Sequence, residues 1–466
     1  MIIKERKNLE REKLKSRLGF ILLSAGCAIG LGNIWRFPYI TGQNGGAIFV
    51  LIYLVFLVIL GIPVMTMEFS VGRASQRSAA RSFHALQPEG KKWHLFSYFA
   101  MGGNYLLMMF YTTVSGWMLA YLFYMITGTF NGLTPDQVGG VFGGLLSSAP
   151  SSIGWMIAIS VIGFGICAIG LQKGVERITK IMMSGLVVIL VVLIVRAITL
   201  PGAGEGLLFY LRPNPAAIAE QGIGSVLYAA MGQSFFTLSL GIGSMAIFGS
   251  YLGKERKLLG EAINVTVLDT CIAIGAGLII FPACFAFGVD PGAGPGLIFV
   301  TLPNVFNAMP GGQFWGIVFF IFMVFAALST VIAVFENIVA FAIDITGCSR
   351  KKASVVNAIV IIILSLPCAL SFNVWAGGGA FLGLADGWVL DVEDFVLSNN
   401  LLPLGALVYL AFCVYKFGWG WDNFVKEANT GEKGAMFPTS IRFYLTYVLP
   451  IIMVIVFIVG YVTFFN

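Results

Sequence analysis

Residues 17–38 read RLGFILLSAGCAIGLGNIWRFP. Their length and apolarity argue for a helix crossing about 30 Å of hydrocarbon. Their centre, Gly26-Cys27-Ala28-Ile29-Gly30-Leu31-Gly32-Asn33, argues for a break. Each interior glycine costs a helix about 1 kcal/mol relative to alanine. In lipid, every backbone group freed by a break must find a new partner. Unwound backbone at mid-membrane therefore persists where it lines a cavity or binds a ligand. Freed carbonyls suit a cation, and the N-terminus of the following half-helix suits an anion. The stretch reads as a site for a small zwitterion together with a metal cation.

Composition places the break in a membrane. Of 466 residues, 58% are hydrophobic and 11% charged, and mean hydropathy is +0.90. A soluble chain of this size needs far more surface charge. The net charge of +6 sits in loops, so nucleic-acid binding is excluded, and nothing implies an obligatory protein partner. The seven cysteines lie mostly in apolar segments with no CxxC spacing, and read as buried small hydrophobes. The chain is read as an all-α polytopic membrane protein.

Apolar runs long enough to cross occur near 17–41, 47–71, 95–127, 153–171, 178–199, 221–250, 261–287, 313–346, 354–371, 391–415 and 438–464, which predicts eleven transmembrane helices. Residues 1–16 would be a cytoplasmic N-terminal segment, and 17–466 a single transport domain. Basic residues cluster in alternate loops, including Arg73, Arg77 and Arg81, Lys173 and Arg177, and Arg350-Lys351-Lys352. The loops 128–152, 288–312 and 372–390 carry no Lys or Arg. This bias predicts a cytoplasmic N-terminus, an outside C-terminus and short Gly-rich outer loops, in the cell inner (plasma) membrane.

Span 6 repeats the interruption of span 1, at Ser239-Leu240-Gly241-Ile242-Gly243. An odd number of spans separates the two breaks, so the halves would insert with opposite orientation. Glycines that only allow close helix packing explain one such cluster readily. They explain two matched ones poorly, and matched breaks point to a transporter's binding site.

Three stretches are specific enough to name a family: GLGNIWRFPY with QNGGAIFVLIY, then GIPVMTMEFSVGR, then GQSFFTLSLGIGSM. They resemble the neurotransmitter:sodium symporter family, and its bacterial amino-acid transporters in particular. The resemblance runs from Arg17 to the end of span 11. It implies two inverted five-helix repeats, about 17–199 and 221–415, with broken helices 1 and 6. One extra helix would follow at about 438–464.

The resemblance also implies two sodium sites. The first maps onto Ala28, Asn33, Thr237 and Asp269, completed by the substrate carboxylate. The second maps onto the carbonyls of Gly26, Ile29 and Ala326 and the hydroxyls of Ser329 and Thr330. For Ser329 and Thr330 alone, back-bonding to a carbonyl one turn earlier is the plainer reading. Many relatives carry asparagine at Asp269, and animal members bind chloride nearby, at positions matching Tyr53, Gln233, Thr237, Asp269 and Ala273. An acid here would supply the charge that chloride supplies elsewhere, which predicts chloride-independent transport.

Gly30 stands where monoamine-transporting relatives place an aspartate. Glycine leaves room for the substrate's own carboxylate, to be bound by the amides of Leu31 and Gly32 with the Tyr111 hydroxyl over it. The amine would meet the carbonyls of Ala28, Phe236 and Thr237 and the Ser239 hydroxyl. Cys27, Leu107, Tyr111, Phe236, Ser239, Ile242, Thr330 and Val334 would line an uncharged side-chain pocket. A bulky hydrophobic or aromatic α-amino acid is expected. Arg36 and Asp394 match the family's outer ion-pair gate, and Arg11 and Asp344 the inner pair. Glu68 and Glu336 are further intramembrane acids expected to pair within the bundle. Met183-Ser184-Gly185 in span 5 is a candidate for local unwinding. The rival readings are proton coupling through Asp269 or Glu68, and a non-transporting amino-acid receptor. The chain carries no HExxH and no nucleophile elbow, so an enzyme is not expected.

Overall fold

A computed structural model describes residues 12–214, 216, 222–288, 296–376 and 386–465. The described residues are overwhelmingly helical, and their only β feature is an isolated bridge between Arg256 and Lys433. Among the described residues, nine helices are long and apolar enough to cross a membrane. The first two short helices, α1 (Arg17–Ala28) and α2 (Gly32–Gln43), are bent by 54° and together make a tenth span.

The next elements are α3 (Ala47–Ser75), the amphipathic α4 (Ala79–Leu86) and α5 (Trp93–Ile126). Then come α6 (Pro135–Ser147), α7 (Ala149–Ile169), α8 (Leu171–Ile198) and α9 (Ala203–Leu211). A second interrupted pair follows, α10 (Ile223–Thr237) and α11 (Ser244–Ser250). The chain continues through α12 (Leu258–Ala286), α13 (Leu297–Ala308), α14 (Gly312–Thr346), α15 (Arg350–Leu370) and α16 (Trp388–Val414). It closes with α17 (Trp421–Ala428) and α18 (Thr439–Val462).

By length and apolarity, ten of the eleven expected spans are found among the described residues. The break at 238–243 takes six residues out of helix and leaves α11 only seven residues long. Two of the loops expected to be short carry helices. The 128–152 stretch folds into α6, whose Thr134–Gln137 capping box starts it, and α13 occupies part of 288–312. Part of the 372–390 loop lies outside the described residues. Span 5 begins at Leu171 rather than 178, and Met183-Ser184-Gly185 lies within unbroken helix.

Helix starts follow local chemistry. Ser16 caps α1 by accepting the Gly19 amide at 3.0 Å, and Ser349 caps α15 by accepting the Lys352 amide at 3.4 Å. The core forms where α1 and α14 pack together and where α5 packs along α14. α11 lies against α3, and a Cβ on Gly72 would run into the Ala246 carbonyl, so glycine there lets the two backbones approach.

Candidate functional site

The two breaks face each other in the middle of the bundle. At the first, α1 ends at Ala28 and Ile29 turns extended, with φ −73° and ψ 101°. The Gly30 amide then donates to Asn33 Oδ1 at 3.2 Å, so the asparagine ties down the entry to α2. At the second, Ser239 holds a positive φ of 51°, followed by Gly241 at 96° and Gly243 at 73°. A non-glycine residue in the left-handed region carries strain. Ser239 Oγ donates to the Cys27 carbonyl at 3.1 Å and so joins one break to the other. Glu68 of α3 accepts the Gly241 amide at 2.6 Å and the Met245 amide at 3.2 Å. A buried carboxylate at the start of α11 satisfies the amides that the break exposes.

Five oxygens converge between α1 and α14. Thr330 Oγ1 donates to the carbonyls of Gly26 at 3.1 Å and Ile29 at 3.2 Å. Ser329 Oγ lies 3.3 Å from the Ile29 carbonyl and 2.8 Å from that of Ala326. The Ser329–Ala326 bond is ordinary back-bonding within a helix. Thr330 instead reaches across to α1, which back-bonding does not explain. These are the five residues assigned to the second cation set, and all are buried.

Three residues of the first set, Asn33, Thr237 and Asp269, are also brought together. Asn33 Nδ2 donates to Asp269 Oδ1 at 2.8 Å and to the Asp269 carbonyl at 3.1 Å. Thr237 Oγ1 donates to Asp269 Oδ2 at 3.0 Å. Both carboxylate oxygens of Asp269 therefore serve residues of that set. Gln233 Nε2 donates to the Gly32 carbonyl at 2.8 Å beside them, and Tyr53 and Ala273 are fully buried.

Between the breaks lies a small cavity of about 20 Å³. Of the residues expected to contact substrate, all line it except Leu31, Thr237 and Val334. Leu31 faces the next chamber out, Thr237 turns to Asp269, and Val334 is buried in α14 away from the wall. Leu397 and Leu402 of α16 complete the wall. They escaped the sequence reading because one more leucine in an apolar helix carries no signal. Tyr111 Oη accepts the Leu31 amide at 2.9 Å, capping α2 from across the cavity.

Tyr111 and Phe236 also line a 520 Å³ vestibule, so these two rings form the partition between chambers. Arg36 and Asp394 line the vestibule above them. Their charged atoms lie 3.7 Å apart, and the Arg36 guanidinium lies 4.5 Å from the centre of the Phe236 ring. Ser398 Oγ donates to Asp394 Oδ1 at 2.6 Å. Residues 11–133 and 147–466 match the profile of the Sodium:neurotransmitter symporter family. The chain belongs to that family.

Members of the family are sodium-dependent transporters rather than enzymes. The chain is 33% identical over 443 residues to the uncharacterized sodium-dependent transporter YhdH of Bacillus subtilis, covering 95% of this chain and 96% of that one. It is 25% identical over 471 residues to the sodium- and chloride-dependent GABA transporter 2 of Mus musculus, covering 90% of this chain and 76% of the relative. Among solved structures, MhsT in complex with L-phenylalanine superposes with a TM-score of 0.87 at 39% identity, over 97% of this chain and 100% of that one.

The far end of the symporter carries a second group of ion pairs. Arg11 lies outside the described residues. Its expected partner Asp344 accepts the Ser78 amide at 2.7 Å. The group centres on Arg350, which pairs with Glu336 at 2.6 Å and with Glu12 at 2.8 Å. Tyr251 Oη donates to the same Glu336 at 2.7 Å. Glu176 at the foot of α8 accepts the Lys15 amide at 2.8 Å and the Ser16 hydroxyl at 3.1 Å, with Lys180 at 2.8 Å. Arg350 went unnoticed because it heads the basic run Arg350-Lys351-Lys352, which reads as orientation bias alone.

Proposed function

We propose that this symporter imports a hydrophobic or aromatic α-amino acid, driven by two sodium ions and without chloride, by alternating access. The observation that carries the reading is the convergence of five oxygens from α1 and α14 beside the broken helix. Sodium favours five or six neutral oxygens, and the hydroxyl protons that now bridge to carbonyls can turn away from a bound cation. The first ion would sit at Ala28, Asn33, Thr237 and Asp269 with the substrate carboxylate. That shared shell ties ion binding to substrate binding. The Asp269 carboxylate supplies the negative charge there, so no halide is needed.

The substrate carboxylate would engage the Leu31 amide and the Tyr111 hydroxyl that already meet. Gly30 puts no acid where the substrate's own carboxylate would sit, and a Cβ there would overlap Tyr111 Oη and Thr330 Oγ1. The cavity wall is apolar and uncharged, and MhsT, which binds L-phenylalanine, supports an aromatic or aliphatic side chain. A 20 Å³ cavity holds about one water, so a bulky substrate enters with the Tyr111–Phe236 partition displaced.

Counting each broken pair as one span gives eleven, arranged as two inverted five-helix repeats with α18 as the extra helix. Residues 17–466 form the transport domain and 1–16 a cytoplasmic segment. Basic-loop bias places the Arg350 mouth in the cytoplasm, the Arg36 mouth and the C-terminus outside, and the protein in the plasma membrane. Arg36 and Asp394 gate the outer mouth.

Uptake of labelled amino acids into proteoliposomes, under an inward sodium gradient with and without chloride, tests this. Concentrative uptake that needs sodium and ignores chloride is expected. Uptake driven equally by a proton gradient in potassium buffer would overturn the ion assignment. Binding without any accumulation would leave a receptor.

A further inference from the structure

The cavity wall at Ile242 is held from outside the site by two neighbours on α5 that none of the roles above uses. Asn104 is fully buried, one turn from Leu107 and two turns from Tyr111 on the same helix face. Its Nδ2 donates to the Ile242 carbonyl at 2.9 Å and to the Ala100 carbonyl at 2.8 Å. Its Oδ1 accepts from Ser244 Oγ at 3.4 Å and from Asn337 Nδ2 at 3.1 Å. All its hydrogen-bonding capacity is thus spent on fastening the unwound 238–243 segment to α5 and α14. Gly103 beside it supplies the space: a Cβ there would overlap Ile242 Cγ2 and stand 3.3 Å from Ile242 Cβ.

A carbonyl in an unwound segment is otherwise free to swing, and the side chain on that residue swings with it. Here the carbonyl is pinned by Asn104, and the side chain is seated in the hollow above Gly103. Resting on the amino-acid-symport reading, we propose that Gly103 and Asn104 determine side-chain specificity. They set how far Ile242 stands back from the cavity and so the largest substrate side chain admitted. Asn104 is a positioning residue acting through Ile242. Gly103 is a volume limit acting on the same wall.

The test measures competition by alanine, valine, leucine, phenylalanine and tryptophan against uptake of whichever amino acid the unaltered protein takes up best. Gly103→Ala drives Ile242 into the cavity. Large side chains should lose at least about tenfold relative to valine, in line with a methylene-sized change in an apolar pocket. Adding Ile242→Ala to Gly103→Ala should restore the large substrates. Asn104→Ala should flatten the ranking, because the wall is no longer fixed, while the sodium concentration for half-maximal uptake stays the same. Where Gly103→Ala fails to reach the membrane, Ile242→Val carries the test in the opposite direction, favouring larger side chains. Equal losses for every amino acid in Gly103→Ala and Asn104→Ala, with the ranking unchanged, would overturn the proposal. An unaltered protein that takes up no amino acid would instead overturn the function on which it rests.

Discussion

Two ion pairs at opposite ends of the symporter differ in character. At one, Arg36 and Asp394 stand 3.7 Å apart, their side chains 19% and 30% exposed, over a 520 Å³ vestibule. At the other, Arg350 meets Glu336 at 2.6 Å, with the glutamate side chain fully buried, while Glu12 and Tyr251 add further bonds. A half-wet pair is worth about 0–1 kcal/mol and opens at little cost. Breaking a buried pair by removing one partner costs about 3–5 kcal/mol, because the other charge is stranded. The same device, an arginine on a carboxylate, therefore gives a loose latch at one mouth and a firm lock at the other. Of the two pairs, the one at Arg350 is the more deeply buried and the shorter.

Removing Arg350 is the hardest blow to that contrast. Arg350→Ala leaves Glu336 buried with only Tyr251 as partner, so a stability loss of about 3–5 kcal/mol is expected. Thermal unfolding of the detergent-solubilised protein reads it. Arg350→Ala combined with Glu336→Gln should recover most of the loss, since the stranded charge is gone. Strictly additive losses would show that the two residues are not coupled and that the lock lies elsewhere.

The lock and the second cation cluster share one helix. Gly26 and Ile29 sit at the end of α1, and the segment leading into that helix is gripped by Glu176 and, through Glu12, by Arg350. A cation that holds Gly26 and Ile29 to α14 therefore holds the Arg350 mouth as well. Ser329→Ala with Thr330→Val removes both hydroxyls with little change of shape. A charge-assisted contact is worth about 1.5–3 kcal/mol, so the sodium concentration for half-maximal uptake should rise at least about tenfold. The stabilisation of unfolding temperature by sodium should shrink in parallel. An unchanged sodium dependence would sever the proposed link between cluster and lock.

What was legible beforehand follows the range of the interactions. Both breaks are written in local sequence, in Gly30 and Gly32 and in Ser239 to Gly243, because backbone freedom is a property of single residues. The two oxygen sets came through the family motif, and the structure links the five residues of the second set through one run of hydrogen bonds. Glu68 was noticed as a buried acid, yet its role in capping α11 spans 173 positions, and no periodicity reports that. Asn104 reaches Asn337 over 233 positions and stayed invisible for the same reason. Leu397 and Leu402 were hidden by ordinary composition. Short helices such as α6 were missed because glycine-rich outer loops lack the long apolar run that marks a span.

Nearer the loose latch, Asp269 offers a subtler break. Asn33, which bonds to it, lies one turn from Arg36 on α2. Asp269→Asn keeps the hydrogen bonds' geometry but removes the charge proposed to replace a halide. Uptake by this variant should become dependent on external chloride, falling severalfold in gluconate buffer and recovering in chloride. The unaltered protein should not distinguish the two buffers. A variant indifferent to chloride would show that Asp269 is neutral in the working protein.

The smallest expected effect lies at the loose latch itself. Asp394→Asn removes one charge from a pair that water already solvates, and Ser398 can still bond to the amide oxygen. The Arg36 guanidinium retains the face of the Phe236 ring at 4.5 Å. A loss of no more than about 1 kcal/mol follows, which is at most about fivefold in the substrate concentration for half-maximal uptake. Raising salt should erase part of the difference between this variant and the unaltered protein, because exposed pairs are screened while buried ones are not. The loss from Arg350→Ala should be insensitive to salt over the same range. If Asp394→Asn proved as damaging as Arg350→Ala, the exposure of the pair would be a poor guide to its strength. The contrast between the two mouths would then have to rest on something other than water.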